Sequence, residues 1–302
     1  MMAPVLRVDG SAADPCMGSV RVDWPKALWN TGMLIGTILA VAVANWQSIL
    51  LFIVLTYASL LIGHSVGMHR MMIHRSFKAP LWLARSLIYV GTLVGVSGPS
   101  GIIRIHDTRD WAQRQRACHD FFAHRCSLLV DLFWNLFCRF EFVHAPRITI
   151  EPDIAEDPFY RFLDTTWRLH QLPIALLLYW AGGWPFVLWG ICARVFVSST
   201  GHWTITYFCH TSQRDLAKGR WLVKDAGIQA ANIPGFGLIT YGECWHNNHH
   251  AFPESARIGL DEGQADPGWW IINGLAKCGL AYDIGAPRAA ASRSDLVERA
   301  ES

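Results

Sequence analysis

The sequence predicts an all-α integral membrane protein, with about four transmembrane helices in two hairpins and a cytoplasmic helical cap that holds a histidine-rich metal site. Two observations lead to this fold class. The 302 residues are 52% hydrophobic and only 17% charged, with a mean hydropathy of +0.21, which is too apolar for an ordinary soluble domain. The chain also carries 13 histidines and 15 tryptophans, and these residues favour metal sites and the membrane interface, respectively.

The charge balance argues against a nucleic-acid-binding protein. The chain has 26 Lys and Arg against 24 Asp and Glu, a formal net charge of +2, so no broad basic face is expected. Its eight cysteines are scattered along the sequence without a CxxC pair. We therefore expect reduced structural thiols rather than a disulfide framework.

The first part of the predicted membrane domain is a helical hairpin. Residues 28–46 and 48–65 are uncharged apolar stretches, and each approaches the roughly 17–25 residues that a helix needs to cross a bilayer. Residues 1–26 before them lack the apolar core of a signal peptide. We expect a cytoplasmic N-terminal segment followed by two spans joined by a tight turn.

A second hairpin is predicted further along the chain. The apolar residues 171–193 are interrupted by Gly182-Gly183-Trp184-Pro185. They form either one span or, as this strong turn signal favours, part of two spans over residues 169–182 and 185–205. Residues 80–99 are also apolar but contain Arg85, which indicates an interfacial or protein-covered helix rather than a span.

The distribution of Lys and Arg predicts the orientation of the spans. Three lie before the first span, 13 lie between the second and third, Arg194 lies in the fourth, and nine follow it. Because positively charged segments stay in the cytoplasm, both termini and the long middle segment are expected there. Residues 27–287 are expected to form the membrane domain, and residues 288–302 a disordered tail.

Histidine motifs predict a metal site at the cytoplasmic ends of the spans. In HNNHH, the histidines His246, His249 and His250 are spaced i, i+3, i+4 and would share one face of a helix. His69 and His74 follow the second span at a spacing of i, i+5, about 140° apart on an ideal α-helix, so they would flank one site or serve two metals.

Two further histidines lie near these motifs. His64 would face another way and is expected to be a buried, hydrogen-bonded residue, and His210 ends the fourth apolar segment. Each motif alone also fits a structural alternative, such as a solvated turn. Together, several neutral imidazoles with few carboxylates favour iron, zinc or copper over magnesium or calcium.

These motifs resemble the histidine boxes of the membrane-bound fatty-acid desaturases, specifically the stearoyl-CoA desaturase-like, Δ9-type branch common in bacteria. Residues 67–77, GMHRMMIHRSF, match the first box of that family, HRxxxHRSF. Residues 242–253, GECWHNNHHAFP, match its last box almost residue for residue. The resemblance covers roughly residues 30–287.

Two segments depart from the family pattern. Residues 105–110, IHDTRD, stand where the family carries HRxHH, so Arg109 and Asp110 occupy the positions of two histidines. Thr206 replaces the asparagine of the NxxxH motif that ends at His210. Arg109 cannot bind a metal, and its permanent charge would require pairing with Asp107 or Asp110.

The resemblance implies a dimetal site in which nine histidines hold two irons, and seven of these histidines remain. They are His69, His74, His106, His210, His246, His249 and His250. Asp110 is a candidate oxygen ligand in place of a lost imidazole. Other candidate replacements are His64, His119, His124 and His202. For His119 and His124, the favoured interpretation is two polar positions on a cytoplasmic amphipathic helix.

The resemblance also implies an activity, the O2-dependent desaturation of an acyl chain held in an apolar tunnel. Two irons are expected, or one if the lost imidazoles are not replaced. The substrate would be a fatty acyl group on CoA, acyl carrier protein or phospholipid. A separate electron donor such as ferredoxin or a cytochrome is expected, because no haem, flavin or iron–sulfur motif is present.

Other expectations follow from the same resemblance. Arg70, Arg75 and Arg257 would contact an acidic headgroup or electron donor, or would be ordinary surface charges. The protein is expected to be multi-pass in a bacterial inner membrane, surrounded by lipid, with both termini and the metal site cytoplasmic. The alternatives are a lipid hydroxylase that uses the same site, and a membrane protein that binds a metal or lipid without catalysis.

Overall fold

Helices dominate the computed structural model, which describes residues 5–210, 219–287 and 293–299. In order, the α-helices are α1 (Trp24–Ala42), α2 (Trp46–Ala58), α3 (Leu81–Thr92), α4 (Pro99–Arg114), α5 (Asp120–Ala123), α6 (Leu128–Phe137), α7 (Pro152–Ala155), α8 (Pro158–Thr166), α9 (Gln171–Val187), α10 (Arg194–Cys209), α11 (His246–Ala251) and α12 (Pro267–Lys277). Two π-helical segments, Ser59–Ile73 and Leu188–Ala193, continue α2 and α9.

Three small antiparallel ribbons correct the expectation of an all-α fold. They pair β1 (Val8–Asp9) with β4 (Arg147–Ile148), β2 (Gly18–Val22) with β3 (Cys138–Phe142), and β5 (Trp221–Val223) with β6 (Leu296–Glu298). Strands of two to five residues are too short to show a clear alternation of polar and apolar residues. The ribbons attach the N-terminal segment to the middle of the chain and residues 293–299 to β5.

The ribbon of β5 and β6 contradicts part of the prediction that residues 288–302 form a disordered tail. Residues 293–299 contain β6, so this stretch is not disordered. The rest of the predicted tail, 288–292 and 300–302, lies outside the described residues. The N-terminal segment is likewise packed on the domain, because five residues of β2 pair with β3. The eight cysteines are all free, as the sequence predicts.

In the part of the chain that the structure describes, two helical stretches, Trp46–Ile73 and Gln171–Cys209, are by length and composition apolar enough to cross a membrane. The first contains the predicted span 48–65 but extends beyond it to Ile73, because the helix changes from α to π winding instead of ending. Within the second, Gly182 and Gly183 have non-helical backbone angles, and Gly183 has a φ of 66°. The four-span arrangement itself stays a prediction.

The break at Gly182-Gly183 divides the second long helix into two runs that pack on each other. A Cβ atom at Gly190 would lie 2.6 Å from the Leu178 side chain. The break lies in the motif at which the sequence predicts a turn, since only glycine adopts the φ and ψ of Gly183 readily.

The π-helical segment Ser59–Ile73 lies at the centre of the fold. It packs against α3, and glycines let the two backbones approach, since a Cβ at Gly91 would lie 2.7 Å from the Gly63 carbonyl oxygen. Helix α3 is partly covered by protein, and its Arg85 pairs with Asp157 at 2.8 Å. The core around this segment includes Val66, Met68, Ile88, Ile102, Ile103, Leu163 and Ile272.

Candidate metal centre

All seven histidines that match the family boxes lie in two neighbouring groups. The four-histidine group consists of His69, His74, His106 and His249, and the three-histidine group of His210, His246 and His250. Within each group one nitrogen of every ring lies within 4.8 Å of the others. The residues come from the π-helical segment and its end, α4, the end of α10, and α11, so the fold joins segments that are distant in sequence.

The π-helical winding brings His69 and His74 together. The His74 backbone N–H donates to the His69 carbonyl at 3.0 Å, the i to i+5 bond of a π-helix. Residues five apart therefore lie on the same face, and the two ring centroids are 4.8 Å apart. The expectation that these rings point about 140° apart is wrong, because it assumed α-helical geometry.

The same winding corrects the prediction for His64. This residue lies five positions before His69, and its ring stacks on the His69 ring with centroids 6.5 Å apart. It also meets the His202 ring at 5.1 Å. His64 therefore faces the same side as the four-histidine group.

The HNNHH motif contributes to both groups. His246 and His250, one α-helical turn apart, face His210, and their Nε2 atoms lie 3.2 Å apart. The His210 and His250 Nε2 atoms are 3.1 Å apart. His249 turns instead to the other group, where its ring centroid is 4.4 Å from that of His74. His249, three positions after His246, therefore points to the four-histidine group, while His246 and His250 point to the three-histidine group.

Carboxylates fix two rings of the four-histidine group. His69 Nδ1 lies 2.8 Å from Glu243 Oε2, and His106 Nδ1 lies 3.0 Å from Asp107 Oδ1. The buried Arg7 holds Asp107 at 3.1 Å. A carboxylate on one nitrogen of an imidazole sets its tautomer and leaves the other nitrogen free to bind a metal. Sequence reasoning missed Glu243 and Arg7, although Glu243 belongs to the matching GExxH pattern.

Arg7 also ties the N-terminal segment to the end of the π-helical segment. Its guanidinium donates to the Ile73 carbonyl at 2.8 Å and to the Met72 carbonyl at 3.2 Å. Carbonyl groups at the end of a helix lack intrahelical donors, so this arginine satisfies them. The N-terminal segment thus helps to position His74.

Acceptors at Nδ1 also orient the three-histidine group. His210 Nδ1 lies 2.9 Å from the Thr206 carbonyl oxygen. His250 Nδ1 lies 3.4 Å from Asp110 Oδ1, while Arg114 Nε donates to Asp110 Oδ2 at 3.0 Å. Among the described residues, the grouped ligand atoms do not include Asp110. Asp110 thus lies beside the Nδ1 edge of His250.

Burial favours the neutral form of five of these imidazoles. It lowers the pKa of His246 to about 4, with a further contribution from the neighbouring His69. Burial and adjacent imidazoles also hold the pKa values of His74, His210, His249 and His250 well below the ordinary value. Neutral imidazole is the form that coordinates a metal.

Glu243 stays ionised in this buried site. Burial alone would raise its pKa, but the neighbouring His69 and Arg70 and a hydrogen bond from Ser65 lower it. An ionised carboxylate at Nδ1 increases the basicity of an imidazole ligand. The centre therefore combines neutral imidazoles with a negative charge behind one of them.

Unsatisfied ring nitrogens show that these residues fit a metal. His74 Nε2 and His249 Nδ1 of the four-histidine group are buried and have no hydrogen-bond partner. Buried polar atoms are nearly always satisfied, so such a cluster requires an explanation. A metal ion would satisfy imidazole nitrogens here, and a site built mainly of imidazole suits iron, copper or zinc.

Arg109 and Thr206, which both depart from the family pattern, contact each other. Arg109 donates to Thr206 Oγ1 at 3.2 Å and to Asn135 Oδ1 at 3.2 Å. Burial lowers the pKa of Arg109 to about 10, so it remains a cation. The expected partners Asp107 and Asp110 pair with other arginines, which corrects that prediction.

Of the remaining histidines, the structure separates His119 from His124. His119 Nδ1 accepts the Phe121 backbone N–H at 3.1 Å, so this residue caps α5. His124 is buried, its Nδ1 lies 3.0 Å from Asp131 Oδ1, and its ring centroid is 6.2 Å from that of His210. The expectation of two polar positions on an amphipathic helix is wrong for His124.

The three arginines expected at a donor or headgroup surface differ in exposure. Arg70 is only 1% exposed and pairs with Asp266 at 2.8 Å, so it is not a surface contact. Arg75 is partly exposed and pairs with Asp153 at 2.5 Å. Arg257 is exposed and remains available to a partner.

An apolar cavity of about 740 Å³ adjoins the centre. Both histidine groups contribute to its wall. The apolar part of the wall comes from α2, the π-helical segment Ser59–Ile73, α10 and residues 236–241, and includes Phe52, Ile53, Leu60, Val197, Ile205, Phe236, Leu238 and Ile239. Gly201 also lines it, and a Cβ there would meet nothing within 4 Å. The volume and the apolar lining suit a hydrocarbon chain.

Known proteins that are similar in sequence place the chain in a family. No protein-family model matches the chain. It is 32% identical to the sn-1 stearoyl-lipid 9-desaturase of Anabaena variabilis, over 87% of this chain and 94% of that protein. It is also 32% identical to the sn-2 palmitoyl-lipid 9-desaturase of Nostoc sp. (strain 36), over 87% and 92%. A third relative, the sn-1 stearoyl-lipid 9-desaturase of Synechocystis sp., is 34% identical over 80% and 73%. The chain therefore belongs to the fatty-acid desaturase family.

Proposed function

We propose that this protein is an O2-dependent desaturase that introduces a double bond into an acyl chain at a non-haem di-iron centre. The observation that carries the proposal is the position of seven histidines, in two adjacent groups, at the wall of an apolar cavity. Four imidazoles would hold one iron and three the other. Iron bound there would supply the oxidising power to remove hydrogen from an unactivated C–H bond.

The residues of the chain have separate tasks in this reaction. The apolar cavity binds the hydrocarbon chain and excludes water, which limits side reactions. Glu243 and Asp107 hold the rings of His69 and His106 in one tautomer. Arg7 holds Asp107 in turn. Activity thus depends on groups that touch neither substrate nor metal.

The electron balance requires a separate donor. Formation of one C=C bond removes two electrons and two protons from the acyl chain. Reduction of O2 to two waters consumes four of each, so two electrons must come from outside the chain. A ferredoxin or a cytochrome fits this role, and the exposed Arg257 is a candidate contact for its acidic surface.

We propose that the substrate is an acyl chain esterified in a membrane lipid. The named activities of the three relatives on stearoyl-lipid and palmitoyl-lipid support this choice. The cavity wall supports it too, because Ile53, Leu238 and Ile239 are each more than half exposed. Such an apolar rim favours entry of a chain from the bilayer.

A multi-pass position in a bacterial inner membrane fits the same proposal, with both termini and the centre on the cytoplasmic side. Exposed apolar side chains on α1, α2 and α9, such as Ile38, Ile53 and Leu176, support lipid contact. The abundance of Lys and Arg outside the apolar stretches supports the orientation.

A fatty-acid profile tests the proposed activity. A host that lacks desaturases would express the chain, its His249→Ala variant, or a His144→Ala control that changes an exposed histidine. We expect a new double bond with the wild type and control, and none with His249→Ala. A hydroxyl group in place of the double bond would identify a hydroxylase. Unchanged lipids from a folded, metal-loaded wild type would indicate a non-catalytic protein.

A further inference from the structure

The two histidine groups are unequal, and an additional imidazole lies beside the smaller one. The four-histidine group offers four rings and the three-histidine group only three. The His124 ring is almost parallel to the His210 ring, at an interplanar angle of 25° and a centroid distance of 6.2 Å. Although His124 precedes His210 by many positions, α5 and α10 bring these two residues together.

A buried carboxylate holds His124 in one tautomer. The two Asp131 oxygens lie 3.0 and 3.1 Å from His124 Nδ1, and both side chains are fully buried. Asp131 also accepts the Trp203 Nε1–H at 2.7 Å and the Asn135 Nδ2–H at 2.9 Å. A carboxylate acceptor at Nδ1 places the hydrogen of a neutral imidazole on that nitrogen and leaves a lone pair on Nε2.

That lone pair has no partner. His124 Nε2 is buried and unsatisfied by hydrogen bonds, which costs free energy unless another group approaches it. A neutral imidazole with a carboxylate on Nδ1 and a free Nε2 has the arrangement typical of a metal ligand. His69 with Glu243 and His106 with Asp107 show it in the neighbouring group.

The backbone at His124 lies in the left-handed region, with a φ of 51° and a ψ of 39°. Glycine adopts this conformation without strain.

Arg109, which occupies the position of a missing box histidine, is connected by hydrogen bonds to the His124–Asp131 pair. Arg109 donates to Asn135 Oδ1 at 3.2 Å, and Asn135 Nδ2 donates to Asp131. One hydrogen-bonded chain therefore links the place of a missing box histidine to the His124–Asp131 pair.

We propose that His124 is a further metal ligand, which joins the three-histidine group as its fourth imidazole, and that Asp131 orients it. The proposal rests on the proposed function, since it presumes metal in that group. His124 lies outside the set of atoms within 4.8 Å of one another, so ligation requires its ring to move towards His210. His119, which shares the HxxxxH spacing, has its Nδ1 engaged in the cap of α5 and serves as the matched control.

Metal analysis of the purified full-length protein tests the ligand. His124→Gly removes the imidazole at a left-handed φ that glycine adopts without strain, so the variant is expected to fold. We expect two irons per chain in the wild type and in His119→Ala, and about one in His124→Gly. Free imidazole added to His124→Gly should restore the second iron, which a purely structural role of His124 would not produce.

A second variant keeps the ring and changes only its orientation. In Asp131→Asn, chelator competition should show about 10–100-fold weaker retention of one iron, as expected when the group that orients a ligand is lost. The visible spectrum of the cobalt-substituted protein should change in His124→Gly but not in His119→Ala.

The possible results separate the two proposals. Two irons in His124→Gly with wild-type resistance to chelator would overturn the role of His124 and leave the proposed function intact. One iron in the wild type, or none, would overturn both the di-iron centre and this ligand. If His124→Gly does not fold, wild-type chelator resistance in Asp131→Asn would likewise overturn the inference.

Discussion

At the scale of single residues, the acceptor at Nδ1 decides which nitrogen of a histidine is available to a metal. Glu243 and Asp107 perform this task in the four-histidine group. Asp110 lies in the corresponding position beside His250. Its location indicates an orienting carboxylate rather than a substitute for a lost imidazole ligand.

Replacement of Asp110 distinguishes these two roles. Asp110→Asn keeps an oxygen that can accept from His250 Nδ1, so we expect both metals to remain bound. Asp110→Ala leaves that nitrogen without its acceptor, and metal affinity should fall by about 10–100-fold. Iron content and chelator competition measure the effect, with the exposed Asp225→Asn as control. Loss of a whole iron in Asp110→Asn would identify the carboxylate as a ligand.

Buried neutral histidines also predict how stability depends on pH. The pKa of His246 is about 4 in the folded, metal-free chain and about 6.5 when unfolded. Between these values the unfolded chain binds more protons, so the free energy of unfolding decreases as pH falls from about 6.5 towards 4. Melting temperatures of chelator-treated protein should decline over this range, and less steeply in His246→Gln. A flat profile in the wild type would contradict the burial argument.

At the scale of elements, the π-helical segment Ser59–Ile73 determines the geometry of the four-histidine group. Its i to i+5 bonding aligns His64, His69 and His74 on one face. The sequence identifies these residues by their spacing but does not reveal the winding, because apolar periodicity around a buried helix is weak. For this reason the sequence predicts the wrong direction for the rings of His69 and His74, although it identifies both residues as candidate ligands.

Close packing between this segment and α3 should make Gly63 irreplaceable. A Cβ there would overlap the backbone of Val90 and Gly91, and overpacking of this kind costs about 1–3 kcal/mol. Gly63→Ala should therefore lower the melting temperature in detergent and the iron content. In α1, a Cβ at Gly32 meets nothing within 4 Å, so Gly32→Ala should be neutral or slightly stabilising. Equal stability of the two variants would contradict the predicted overlap.

At the scale of the whole molecule, the centre depends on contacts that connect distant parts of the chain. The seven box histidines could be predicted because their spacings are specific to a family. Arg7 and Asp131 could not, since their partners Asp107 and His124 are identified only after folding. The three ribbons were missed for the same reason, as a two-residue strand has no pattern of its own.

The cavity predicts which acyl chains the protein converts. Gly201 lines it, and a side chain added there would extend into open space. In Gly201→Leu, the added side chain should reduce the length of cavity available to the hydrocarbon chain. The products should therefore shift from longer to shorter acyl chains, and the metal content should stay unchanged. Gly274→Leu in α12, which also meets open space but lies outside the cavity wall, is the control. Gas chromatography of lipids from expressing cells gives the distribution. The same chain-length profile in Gly201→Leu and the wild type would show that the acyl chain does not pass this residue.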